Sequence, residues 1–76
     1  MNAYGIVLFH TNSSAMQAEA VLARAAVQAK LIPTPRQLSS DCGVSLRFDW
    51  SQNDRVSELL NRAHVEIAGI HPLPGG

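Results

Sequence analysis

Seventy-six residues with six basic and six acidic side chains make one domain at most, near the lower limit for folding without staples. The resulting zero net charge argues against a phosphate-driven nucleic-acid partner and against anchoring on an anionic membrane, and no apolar run approaches the roughly 18 residues of a membrane span. A single cysteine excludes a disulfide scaffold, and it excludes a closed zinc site unless histidines complete the ligand set.

Tyr4 to His10 is short, apolar and rich in β-formers, which predicts a buried strand. No basic segment precedes it, so no signal peptide is expected. Thr11-Asn12-Ser13-Ser14 breaks the strand, and Ser14 with Gln17 reads as a capping box, with Ser13 the alternative cap. The alanine-rich stretch to Lys30 lacks Gly and Pro and predicts a helix, with Ala15, Ala18, Leu22, Ala25 or Ala26, and Ala29 on one face. Leu31 to Thr34 is a short edge strand stopped by Pro33 and Pro35. Val44 to Trp50 alternates Val44, Leu46 and Phe48 against Ser45, Arg47 and Asp49, the pattern of a half-buried strand. Ser51 to Asp54 offers helix caps, and Val56, Leu59, Leu60 and Ala63 make a helical stripe. Val65, Ile67 and Ile70 are read as the last strand. Residues 1–71 then form one domain and 72–76 a flexible tail.

The order β-α-β-β-α-β predicts an α+β, ferredoxin-like domain, a four-stranded antiparallel sheet with two helices on one face. In that topology the first two strands run parallel with the third between them. Their C-terminal ends share one edge with the residue 34–43 loop, the first helix start, Arg62 and His64.

The chain resembles the selenium/sulfur carrier-like proteins over nearly its whole length. The resemblance rests on Leu31-Ile32-Pro33-Thr34-Pro35-Arg36-x-Leu38-Ser39-Ser40-x-Cys42-Gly43, on Leu46-Arg47, on Val65-Glu66-Ile67-x-Gly69-Ile70 and, more loosely, on Ser14 to Glu19. It implies that Cys42 holds sulfur or selenium. It also implies that protein partners, a donor and an acceptor, load and unload it. No cofactor and no metal is implied, and the reading is of a carrier or accessory protein more than an enzyme.

The residues themselves fit that chemistry. A thiolate is the form that attacks sulfur, and a helix N-terminus or Arg36 or Arg62 nearby would favour it. Ser39, Ser40 and the backbone at Gly43 could hold a persulfide anion by hydrogen bonds, and Ser13 and Ser14 belong to the helix start that would support it. Asp41 opposes a thiolate unless it points away. The bland alternative is a small buried or turn-forming cysteine. An unpaired thiol suits the cytoplasm.

Two other readings stay open. Pro33, Pro35, Leu38 and Trp50 could form a docking surface of a non-catalytic subunit in a larger complex, including a metalloenzyme. Gly75-Gly76 could end a thiocarboxylate carrier, although the strand order is not β-grasp and the last strand ends away from Cys42. His10, His64 and His71 have no zinc-motif spacing. The neutral surface leaves a homo-oligomer open.

Overall fold

A computed structural model describes residues 3–38 and 43–73. Its elements are β1 (Tyr4–Leu8), α1 (Asn12–Arg24), β2 (Ala29–Pro33), β3 (Val44–Asp49), a 3-10 turn (Trp50–Gln52), α2 (Asn53–Arg62) and β4 (Gly69–Pro72). The sheet order is β2-β3-β1-β4, with every neighbouring pair antiparallel, so the α+β ferredoxin-like topology holds.

Both helices pack on one face. Ala15, Ala18 and Leu22 of α1 and Val56 and Leu60 of α2 join Val7, Phe9, Leu46 and Phe48 in one buried cluster. Those sheet residues share a parity, as the period of two requires. Ile6 and Leu8 point to the other face yet are 0% and 5% exposed. Ile6 sits in register between Arg47 and His71, and the Arg47 guanidinium lies 4.6 Å from the centre of the Tyr4 ring. Long side chains thus roof the helix-free face.

Glycine is required at position 5. A Cβ there would lie 2.4 Å from Trp50 Cε3 and 2.6 Å from Phe48 Cζ. The two rings stack with centroids 6.0 Å apart and close the lower end of the core.

Several boundaries differ from the sequence reading. The first helix starts at Asn12 and ends at Arg24, well short of Lys30, and β2 begins at Ala29. Ala26 takes φ 59°, Val27 N donates to Leu22 O and Ala26 N donates to Ala23 O. That is a Schellman stop, with Val27 buried as its hydrophobic contact. The second helix ends the same way. His64 has φ 57°, Val65 N donates to Leu60 O and His64 N to Asn61 O. Val65 is therefore a buried helix-cap residue, Ile67 packs against the core without joining a strand, and β4 starts only at Gly69. The two stops share a pattern that strand and helix periodicity do not reveal. Leu22-Ala23-Arg24-Ala25-Ala26-Val27 and Leu60-Asn61-Arg62-Ala63-His64-Val65 both read Leu-x-Arg-Ala-x-Val.

Arg55 reaches across to the first stop, donating from Nη2 to Ala25 O at 3.3 Å. Asp49 accepts from Ser51 N at 2.9 Å, and this backbone bond, with the Ser51 hydroxyl second, holds its carboxyl below the ordinary value.

Gly5→Ala is expected to destabilise the fold by about 1–3 kcal/mol in urea unfolding, because the stacked rings of Phe48 and Trp50 must shift to admit the methyl group. Ala26→Gly is expected to act in the opposite direction, stabilising by up to about 1 kcal/mol, because it relieves a left-handed backbone at the helix stop.

Candidate functional site

The loop between β2 and β3 leaves the sheet at a fixed base. Thr34 N donates to Gly43 O at 3.0 Å, one step beyond the Pro33–Val44 register pair. The hydroxyls of Thr34 and Ser45 lie 2.7 Å apart, and Ser45 is wholly buried. That bond satisfies a polar group inside the sheet and ties the two strands together where the loop starts. Next, Leu38 N donates to Pro35 O at 3.0 Å, closing a turn over Pro35–Leu38. Pro35 stands first in this turn and supplies its accepting carbonyl.

The expected site residues divide. Ser39, Ser40 and Cys42 lie outside the described residues, as does Asp41. Arg36 is exposed, and so is Gly43, whose missing Cβ faces open space. Pro33 is exposed, while Pro35 and Leu38 are half-buried.

Trp50 does not join them. Its backbone N donates to Ala3 O at 2.9 Å, at the N-terminal end of β1, whereas the loop base flanks the C-terminal end. Half-buried against Phe48, Trp50 caps the core at the opposite end of the sheet. The four docking candidates therefore do not make one surface.

The start of α1 does lie at the loop end, because β1 feeds it directly after Leu8. Its cap is Thr11, where the sequence suggested Ser14 or Ser13. Thr11 has extended backbone, its Oγ1 accepts from Ser14 N at 3.2 Å, and its hydroxyl donates to Ser14 Oγ at 3.1 Å. Ser13 and Ser14 thus belong to the first helical turn, Ser13 exposed and Ser14 half-buried. The N–H groups of that turn, free of intrahelical acceptors as in any helix, supply partial positive charge at this end.

Other groups expected here are otherwise engaged. Arg62 Nη2 lies 3.2 Å from Glu58 Oε1, with both side chains largely exposed, so it pairs along α2. His64 serves as the left-handed helix stop. Among the described residues no three His, Asp or Glu side chains gather as metal ligands. Among them, too, no helix is long and apolar enough to cross a membrane. A cavity of about 420 Å³ lies elsewhere, between α2 and the connection to β4, lined by Asp54, Ser57, Glu58, Leu60, Asn61, Val65 and Ile67.

The C-terminal end is remote from the loop. Pro72 pairs with Gly5 and Leu73 N donates to Tyr4 O at 2.8 Å, so β4 exits at the far edge of the sheet. Gly75 and Gly76 themselves lie outside the described residues.

The described residues make a small ferredoxin-like domain, and the chain's one cysteine falls in sequence between β2 and β3, whose connection is tied at its base. The family model described as "Putative Se/S carrier protein-like" matches residues 4–72, from the first residue of β1 to the last of β4, and the chain belongs to that family. No curated protein and no solved structure matches it.

Thr11→Ala is expected to cost about 1 kcal/mol in thermal or urea unfolding, since it removes the side-chain acceptor of the α1 cap. Ser14→Ala keeps that acceptor and is expected to cost clearly less.

Proposed function

We propose that Cys42 carries a sulfane sulfur or selenium as a persulfide or selenopersulfide and hands it between protein partners. The observation that carries this reading is the family match across the whole fold in a chain with one thiol. The tied base of the loop supports it, because Cys42 is covalently joined to Gly43, whose carbonyl is held by Thr34.

The chemistry is an exchange without net oxidation. The Cys42 thiolate attacks the terminal sulfur of a donor persulfide. A new S–S bond forms, the donor S–S bond breaks, and its electron pair leaves on the donor thiolate. A selenopersulfide donor reacts in the same way at selenium. An acceptor nucleophile then attacks the terminal atom, and Cys42 departs as the thiolate.

The protein's part is to favour the anion in each state. The α1 N-terminus supplies partial positive charge from its end of the fold, and Arg36 supplies a full charge from the loop. Ser39, Ser40 and the Gly43 backbone offer donors to a terminal persulfide anion. Gly43 has open space where a Cβ would be, which suits close approach by a partner. Such a thiol works in a reducing compartment, which points to the cytoplasm.

The test is labelling by a small-molecule persulfide donor, read by intact mass. Reduced wild-type protein is expected to gain one sulfur atom, lost again on treatment with dithiothreitol, and Cys42→Ser to gain none. The folded protein is expected to react about tenfold faster than a peptide spanning residues 33–43, as the more thiolate-favouring setting requires. Equal labelling of Cys42→Ser, or equal rates for protein and peptide, would sink the proposal.

A further inference from the structure

Among the described residues, Met16 is the one large hydrophobic side chain left exposed, at 63%. One and two turns further along α1 come Ala20 and Ala23, also exposed, on the side of the helix opposite Ala15, Ala18 and Leu22. Glu19 and Arg24 flank this stripe on its two sides, five residues and about 140° apart around the helix, too far round to pair with each other. Both are exposed, and neither forms an ion pair with a described residue, in contrast to Glu58 and Arg62 on α2.

These positions form a self-complementary heptad. With Met16 at d, Ala20 falls at a and Ala23 at d, Glu19 falls at g and Arg24 at the following e. In a parallel pair of helices, g of one faces the next e of the other, five residues on. Glu19 of each copy then meets Arg24 of its mate, twice by symmetry. An antiparallel pair would set Glu19 beside Glu19 and Arg24 beside Arg24. The charges therefore select both the partner, the same helix, and its direction.

We infer that the outer face of α1 pairs in parallel with the same face of a second copy. The alanines at a and d let the two helices approach closely, and Met16 covers one end of the seam. With 13 residues in α1 the seam is under two heptads and about 20 Å long, so the buried area falls below that of standard stable interfaces and the dimer is weak. Because the helices run parallel, both α1 N-termini, and with them both loop bases, lie at the same end of the pair. The pairing does not depend on the thiol chemistry and is tested without it.

Sedimentation of the reduced protein from micromolar to millimolar concentration should show a dimer fraction that rises with concentration. Glu19→Arg and Arg24→Glu should each weaken dimerisation roughly tenfold, and the double variant should return it to within about twofold of wild type. Met16→Glu should abolish it, with circular dichroism showing that each variant keeps its fold. A monomer throughout the range, a dimer insensitive to these changes, or a double variant no better than the singles would each overturn the inference.

Discussion

Everything in this small fold depends on β1 being buried on both faces. Ile6, Val7 and Phe9 have no exposed surface and Leu8 almost none. Each such side chain contributes about 1.5–3 kcal/mol, a large share for a domain of this size. Burial on both sides demands two different covers. The helices supply one. The other comes from residues of neighbouring strands, with Arg47 lying over Tyr4 and Ile6 set between Arg47 and His71. A strand in that position must be central, so β3 and β4 pair on its two sides and β2 is left at an edge with Pro33.

The central strand also fixes what lies at each end. Its C-terminal end delivers the start of α1 beside the base of the β2–β3 loop. Its N-terminal end meets Trp50, Leu73 and the close of the aromatic cluster. Residues that looked like parts of one interaction surface are divided between the ends: Pro33, Pro35 and Leu38 at the first, Trp50 at the second. The same division removes the strand leading to Gly75-Gly76 from the loop that carries the thiol. The base of the loop and the end of β4 thus lie at opposite ends of the described sheet.

The fold class was legible because its signals are periodic. Alternation over Val44 to Asp49 and the alanine stripe of α1 each extend over several residues, so local ambiguity averages out. The helix stops were illegible for the opposite reason. Each depends on one residue in the left-handed region, and here those residues are Ala26 and His64 rather than the glycine or asparagine that would signal it. Without that signal, helix propensity carried the first helix past its true end, and Val65 and Ile67 passed for a strand. The repeated Leu-x-Arg-Ala-x-Val could have found both stops. The cap was misread differently: four consecutive polar residues, Thr11 to Ser14, all suit the role, and only the backbone at Thr11 chooses among them. At the loop, the motif is plain in sequence, while Cys42 and its two serines lie outside the described residues.

A carrier makes modest demands, and this architecture fits them. Sulfane exchange breaks one S–S bond and forms another, so no large barrier calls for a water-free pocket lined by catalytic groups. What a carrier requires is a thiol whose surroundings are stiff enough to be recognised by two partners in turn. Stiffness at the loop base comes from a backbone bond, a part-buried hydroxyl pair and the turn over Pro35–Leu38, next to strands held by the core. Restraints of this kind lower the ordering entropy of a binding event in general. The fold thus places these restraints at the base of the loop, while the described cavities lie along α2 and at the far end of the sheet.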